Sequence, residues 1–133
     1  MNEVKQTIVI NKPAREVFDF IVNPHNTPKW VSSVVEEKIN ENSIKIGTLY
    51  SNRGTDGNWS EFEVTDFEEG HIFELTKKND SHHIKYMFES LDDGSCKLEY
   101  HVWVAEGEVS ERFSSDRIQE ILKNLKTAVE AIN

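Results

Sequence analysis

The pattern of apolar and polar residues changes its period along the 133-residue chain, and each change predicts a different element. Residues 3–10 are rich in β-branched side chains and partly alternate, which predicts a strand. Residues 13–22 change to helical spacing and begin with a proline, whose missing N–H is not needed in the first turn. This helix should end at Asn23, because a residue before proline avoids helical backbone. The Thr-Pro pair at 27–28 predicts a second, very short helix that carries Trp30.

From residue 33 to about residue 105 the pattern is that of short strands separated by turn residues. Connections this short join antiparallel neighbours, so the segment predicts a meander of hairpins. The last two strands alternate most clearly, and each has an apolar and a polar face. Trp103 falls on the polar face, and cross-strand packing on the surface is a better interpretation than a dimer patch. The strands are predicted near residues 33–40, 45–53, 58–68, 71–78, 82–91 and 96–104.

The last part of the chain has the longest helical pattern, with an apolar stripe from Phe113 to Ile132 opposite a charged face. The helix should begin somewhere between Val109 and Ser115. About twenty residues at a rise of ~1.5 Å make a rod of roughly 30 Å, long enough to cross a small sheet. A large antiparallel sheet must curl, and its concave apolar face then needs a cover. The pattern therefore predicts an α+β fold of about seven strands curved around the C-terminal helix, with two short helices after the first strand.

Composition excludes several classes of function. Acidic residues outnumber basic ones by 24 to 15, for a formal net charge of −9, which argues against binding to nucleic acid or to an anionic membrane surface. No apolar stretch approaches the ~20 residues of a membrane span, and the N-terminus lacks the pattern of a signal peptide. A single cysteine, Cys96, allows no intrachain disulfide. We expect a single cytoplasmic domain over residues 1–133, as a monomer or weak homodimer.

Four segments carry a family resemblance, which covers nearly the whole chain. "TIVINKPAREVFDFIVNPHNTPKW" is similar to the opening of the START-like helix-grip superfamily (SRPBCC), with its Glu-x-Val-aromatic helix and following Trp. "EFEVTDFEEGHIFEL" resembles the family's central hairpin, "LDDGSCKLEYHVWV" its last hairpin, and "LKNLKTAVEAIN" its closing helix. The superfamily includes polyketide cyclase/dehydrase-type and birch-pollen-allergen-like proteins. The glycine-rich loop of the birch-pollen-allergen branch is not evident here, because Gly54 and Gly57 are isolated.

The resemblance implies a helix-grip fold with a hydrophobic cavity between the sheet and the C-terminal helix. From the residues alone, a core filled by side chains is an equally good interpretation of the inward aromatic set, and the resemblance favours a cavity. The cavity wall is then predicted to comprise Trp30, Phe62, Phe73, Leu75, Tyr86, Phe88, Tyr100, Phe113, Leu122 and Leu125. Arg53 is a candidate polar group at the cavity, and His101 becomes one if a bulge turns it inward.

Metal and thiol chemistry find little support in the sequence. His82 and His83 are adjacent in a predicted strand and should point to opposite faces, and no metal-binding spacing of His or Cys occurs. Cys96 has no activating partner nearby in the sequence. We therefore expect no metal and no cofactor.

Three hypotheses about function follow. The first is a non-catalytic binder of a small apolar ligand, such as a lipid, polyketide or aromatic metabolite. The second is a cyclase or dehydratase that acts on an apolar substrate through groups such as Tyr86, Tyr100, Arg53 or His101. The third is a regulatory module that docks on a partner protein through the surface around Trp103.

Overall fold

The computed structural model describes residues 2–132. Within this range, seven antiparallel strands form one sheet in the order β1-β7-β6-β5-β4-β3-β2. The first and second strands of the chain thus lie at opposite edges of the sheet, and the remaining strands follow one another as hairpins. The strands are β1 (Glu3–Ile10), β2 (Val34–Ile39), β3 (Leu49–Gly54), β4 (Trp59–Glu68), β5 (Ile72–Lys77), β6 (His83–Ser90) and β7 (Cys96–Trp103).

Two short helices connect the edges of the sheet. Helix α1 (Ala14–Val22) buries its apolar face, and a 3-10 helix (Pro24–Lys29) follows it directly and packs on β2. The prediction that this second helix begins at the Thr-Pro pair was wrong. Its cap is Asn23, whose side-chain oxygen accepts a hydrogen bond from the backbone N–H of His25 at 3.0 Å. Pro24 therefore starts the 3-10 helix as well as ending α1.

The strand predictions were accurate to within one or two residues except at the start of β3. Residues 45–48 form a turn, in which Gly47 has a φ of 98° and the Thr48 hydroxyl accepts a hydrogen bond from the N–H of Lys45 at 3.0 Å. A positive φ is unfavourable for residues with a side chain, so glycine allows this turn. The local turn thus overrides the strand pattern.

Helix α2 (Ser115–Glu130) lies along β1 and covers the concave face. Ser114 caps it, and a 3-10 turn at Glu111–Phe113 precedes it. The side chain of Lys126 donates to the carbonyl oxygen of Val9 at 2.8 Å, and that of Gln6 donates to the carbonyl of Ser115 at 2.8 Å. These contacts hold the helix to the edge strand along most of its length.

The core lies between the concave face of the sheet and the helical segments. The predicted α+β architecture, a curved antiparallel sheet around a C-terminal helix, is confirmed. Helix α2, the longest helix described, has 16 residues, and none of the described helices is both long and apolar enough to cross a bilayer.

Candidate functional site

A cavity of about 450 Å³ lies between the sheet and the N-terminal half of α2. Side chains of β2 to β7 form one wall, and the end of α1, the 3-10 helix, the segment after it, the 3-10 turn before α2 and α2 itself form the other. The lining is mostly aromatic and aliphatic. The exposed side chains of Arg112, Arg117 and Glu120 belong to the part of the lining that reaches the surface. A volume of this size is within the range of small-molecule sites in proteins.

Tyr86 is the centre of the aromatic wall. Its ring stacks on Phe73 with centroids 5.8 Å apart and contacts Tyr100 edge-on at 5.1 Å. Trp30 approaches the same ring from the helical side at 6.2 Å, also edge-on. Offset-stacked and edge-on pairs are the favourable geometries for aromatic rings, so this wall is well packed behind the cavity. Burial raises the pKa of both tyrosines far above the ordinary value, so both hydroxyls stay protonated.

Glu37 brings a carboxyl group to this apolar space. Its Oε1 accepts a hydrogen bond from the Thr27 hydroxyl at 2.5 Å, and its Oε2 accepts one from the Asn52 amide at 3.2 Å. All three residues line the cavity. Burial raises the pKa of Glu37, and the two hydrogen bonds oppose that shift. The site thus contains a carboxyl group that binds a proton more readily than an exposed glutamate does.

The indole N–H of Trp30 is a buried donor in the same lining. Trp30 is only 2% exposed, and its Nε1 has no hydrogen-bond partner among the described residues. The Tyr50 hydroxyl, by contrast, donates to the carbonyl oxygen of Val22 at 2.6 Å and is satisfied by the protein. Buried donors without a partner are uncommon in folded proteins and call for an explanation.

The structure brings seven of the ten predicted wall residues to the cavity. They are Trp30, Phe62, Phe73, Leu75, Tyr86, Tyr100 and Phe113. Phe88, Leu122 and Leu125 do not line it, although they are buried. Phe88 packs edge-on against Phe18 of α1 at 5.2 Å, beyond the end of the cavity. The role of the seven in ligand binding stays a prediction.

Arg53 and His101 lie outside the cavity. Arg53 pairs with Glu36 at 3.4 Å, because alternation along β3 turns its neighbour Asn52 inward instead. His101 bonds to Glu3 at 2.9 Å on the outer face of the sheet. The register of β7 is continuous at this point, so no bulge turns His101 inward.

The outer face carries a small stacked cluster around Trp103. Its ring lies 4.8 Å from that of His83, nearly parallel, and 4.6 Å from that of His101. Trp103 is half-buried between these two rings, which agrees with cross-strand packing. Trp103 remains partly exposed, and docking of a partner protein on this face stays a prediction.

The structure places the adjacent histidines His82 and His83 on opposite faces of the sheet. His82 is buried, lies 5.2 Å from Phe113 and accepts a hydrogen bond from the backbone N–H of Ser110, whereas His83 is on the outer face. Within residues 2–132, no group of three or more His, Cys, Asp or Glu side chains is placed to hold a metal ion. Burial raises the pKa of the Cys96 thiol, which does not favour a reactive thiolate.

Sequence reasoning missed the polar residues of the cavity, above all Glu37. A β-bulge between Val34 and Glu36 shifts the alternation of β2, so that Glu37 shares the inward face with Val34. Simple alternation would place Glu36 there instead. Asn52 follows the alternation that turns Tyr50 inward, and that signal could have found it.

The comparisons agree with this geometry. The family model for polyketide cyclase / dehydrase and lipid transport proteins matches residues 1–130. The chain belongs to this family. No curated protein matches the sequence significantly. The START-like relationship that the motifs indicated is thereby confirmed.

Solved structures show the same fold at low sequence identity. Protein MLL2253 from Mesorhizobium loti is similar, with a TM-score of 0.79, 11% identity and coverage of 98% of each chain. The Aha1 dimer from Colwellia psychrerythraea gives 0.74 at 14% identity, over 98% of this chain and 97% of that one. The structure of Ara h 8.0201 gives 0.67 at 16% identity, with 98% of each chain covered. These likenesses confirm the helix-grip fold that the motifs implied.

Proposed function

We propose that this member of the polyketide cyclase / dehydrase and lipid transport family binds a small, mainly apolar ligand in the cavity and does not transform it. The observation that carries the proposal is the space of about 450 Å³ under the N-terminal half of α2, lined mostly by aromatic and aliphatic side chains. Burying apolar ligand surface against such a wall is favourable at ~25 cal/mol per Å². The whole chain serves as the binding domain, and its buried single cysteine suits the reducing cytoplasm.

Ligand binding should raise the melting temperature of the protein. A ligand at ten times its Kd stabilises the folded state by about 1.4 kcal/mol, which corresponds to several degrees for a domain of this size. Fatty acids and aromatic compounds are added one at a time, and denaturing mass spectrometry of gently purified protein tests for a molecule already bound.

A variant in which a larger side chain fills the cavity tests whether the ligand binds there. Ile121 is half-buried in the lining, so Ile121→Trp should abolish the ligand-induced shift without unfolding the protein. Ile46→Trp adds the same volume at a position that is 60% exposed and outside the lining, and should leave the shift unchanged. If no compound shifts the melting temperature and none copurifies, the proposal fails.

A second candidate is a proton-transfer enzyme, and Glu37 is the specific observation in its favour. A carboxyl group with a raised pKa can act as a general acid or base near neutral pH, and the Tyr86 and Tyr100 hydroxyls share its cavity. The Glu37→Gln variant distinguishes the two functions. If the protein is an enzyme, the Glu37→Gln variant should still bind the ligand but no longer convert it. If the protein is a carrier, neither the variant nor the unmodified protein should convert the ligand.

A further inference from the structure

The mouth of the cavity, where the lining reaches the surface, carries two arginines. The side chains of Arg112 and Arg117 are exposed, and within residues 2–132 neither forms an ion pair or a hydrogen bond. The other two arginines of the chain, Arg15 and Arg53, pair with carboxylates at 2.8–3.4 Å. A guanidinium offers five N–H donors in a planar fork that fits a carboxylate. The mouth therefore presents donors that a ligand entering the cavity can reach.

Arg112 lies at the edge of the aromatic wall. Its guanidinium carbon is 5.7 Å from the ring centroid of Phe113, a contact that steadies the charged group and leaves its N–H donors available. Burial raises the pKa of Tyr100, and the Tyr86 hydroxyl and the positive charge of Arg112 oppose that rise. The guanidinium is therefore within electrostatic reach of the cavity interior while it remains exposed to solvent.

Arg117 occupies a position that the helix itself does not favour. It is the third residue of α2, and the unpaired N–H groups of a first helical turn disfavour a positive charge. Asp116, in the same turn, supplies the negative charge that this end of a helix prefers. Arg117 contributes nothing of that kind to the helix, so an anion bound at the mouth better explains its place in the lining.

The carboxylates near the mouth do not neutralise it. Asp56 accepts hydrogen bonds from the backbone and side-chain nitrogens of Asn58 at 2.9 and 3.1 Å, and these bonds, more than the charge of Arg112, lower its pKa. Glu37 is half-buried and accepts two hydrogen bonds from neighbouring side chains. Glu120 is the exposed carboxylate of the lining. The mouth thus has two positive charges against one negative, on a chain whose formal net charge is −9.

We infer that the ligand is an amphipathic monocarboxylate whose apolar part fills the cavity and whose carboxylate pairs with Arg112 and Arg117 at the mouth. This inference rests on the proposed function and narrows the ligand class to carboxylic acids with an apolar chain or ring system. The carboxylate stays at the mouth because an unpaired charge in the apolar interior would lose its hydration. Ser32 and Ser33, which are exposed in the lining, add hydroxyl donors.

Three probes with the same ten-carbon chain test the inference at pH 7.5. They are decanoate, 1-decanol and decyltrimethylammonium, used below the concentrations at which they form micelles, and calorimetric titration measures each Kd. Arg112→Gln and Arg117→Gln should each weaken decanoate binding about three- to tenfold, because charge-assisted hydrogen bonds to the carboxylate are lost. Both variants should change 1-decanol binding less than twofold. Decyltrimethylammonium should bind more weakly than 1-decanol to the unmodified protein.

Two further variants serve as matched controls on the same helix. Lys123→Gln removes a positive charge from an exposed position outside the lining, and should change decanoate binding less than twofold. Glu120→Gln removes the negative charge of the mouth, and should tighten decanoate binding about two- to threefold. The two results together distinguish charge at the mouth from the overall charge of the protein.

Decanoate labelled with ¹³C at the carboxyl carbon gives a second readout, on the unmodified protein. Next to two guanidinium groups the bound carboxyl group should titrate at a lower pH than free decanoate, because a nearby opposite charge favours the charged form. A carboxyl group buried in the apolar interior would instead titrate at a higher pH. The ¹³C chemical shift followed against pH measures the direction.

The outcomes separate the two proposals. The inference is overturned by decanoate binding that survives both arginine substitutions, by an equal loss in Lys123→Gln, or by a raised titration midpoint of the bound carboxyl group. Binding of 1-decanol that Ile121→Trp abolishes would leave the proposed function standing in each of these cases. No binding of any of the three probes overturns the inference, and it overturns the proposed function as well if no fatty acid or aromatic compound shifts the melting temperature.

Discussion

The concave face of the sheet has a hollow half and a filled half, and the same two strands contribute to both. On β6 and β7, Tyr86 pairs with Tyr100 in the cavity lining. One inward position further, Phe88 pairs with Leu98, and neither of these lines the cavity. The boundary therefore falls between two successive inward residues on each strand.

Helix α1 accounts for the filled half. Phe18 is 2% exposed and contacts the ring of Phe88 at 5.2 Å, so a bulky side chain fills the space above that strand. Above the hollow half lie the 3-10 helix and the first turns of α2, whose side chains in the lining, such as Thr27, Arg117 and Ile121, leave the space of about 450 Å³ open. The cavity therefore lies over the part of the concave face that α1 leaves uncovered.

The largest expected effect contrasts two leucines on neighbouring parts of this face. Leu98→Ala removes a fully buried side chain from the filled half and should destabilise the protein by about 3–5 kcal/mol. Leu75→Ala enlarges a space that already exists and should cost about 2 kcal/mol. Urea denaturation of the two variants measures both values. Equal costs would mean that the cavity side of the face is packed as tightly as the other side.

A second comparison concerns two tyrosine hydroxyls in the cavity lining. Tyr50→Phe leaves the carbonyl oxygen of Val22 at the end of α1 without its 2.6 Å donor, and should cost about 1–3 kcal/mol. Tyr100→Phe removes a hydroxyl that interacts with the neighbouring Tyr86 hydroxyl, and should cost less than Tyr50→Phe, about 0.5–1 kcal/mol. Thermal unfolding distinguishes them. A large cost for Tyr100→Phe would place its hydroxyl in a structural network.

Much of this architecture could be predicted from the sequence because the pattern of burial repeats with the period of each element. Alternation assigned Tyr86 and Phe88 to the same inward face, which is correct. It could not say which of them borders the cavity, since both positions have the same period and both carry an aromatic ring. Which of the two residues borders the cavity depends on where α1 crosses the sheet. The crossing is part of the tertiary structure and cannot be predicted from a local sequence pattern.

The same limit applies to the polar groups of the site. Glu37 faces inward only because the bulge in β2 adds a residue between Val34 and the next inward position. Nothing in the segment "VVEEKI" indicates which of its two adjacent glutamates will face the cavity. Family motifs predicted the fold and the presence of a cavity, whereas the inward position of Glu37 came from the geometry of the bulge.

The smallest expected effect compares two glutamates that each accept a hydrogen bond from a threonine. Glu37 accepts from Thr27 in the cavity, and Glu41 accepts from Thr48 at the surface, both at 2.5 Å. Burial raises the pKa of Glu37, whereas the threonine bond lowers that of Glu41. The two carboxyl groups should therefore change protein stability with pH in opposite directions.

The sign follows from proton linkage. Because the folded state holds a proton on Glu37 more tightly than the unfolded state, its contribution is fully present below the unfolded pKa and is lost as the pH rises through the raised folded value. The stability of the unmodified protein relative to Glu37→Gln should thus decline as the pH rises above about 4.5. Relative to Glu41→Gln it should fall as the pH decreases below about 4.5. Urea titrations of the three proteins across this range measure both differences, and parallel curves for the two variants would mean that burial in the cavity does not set the protonation of Glu37.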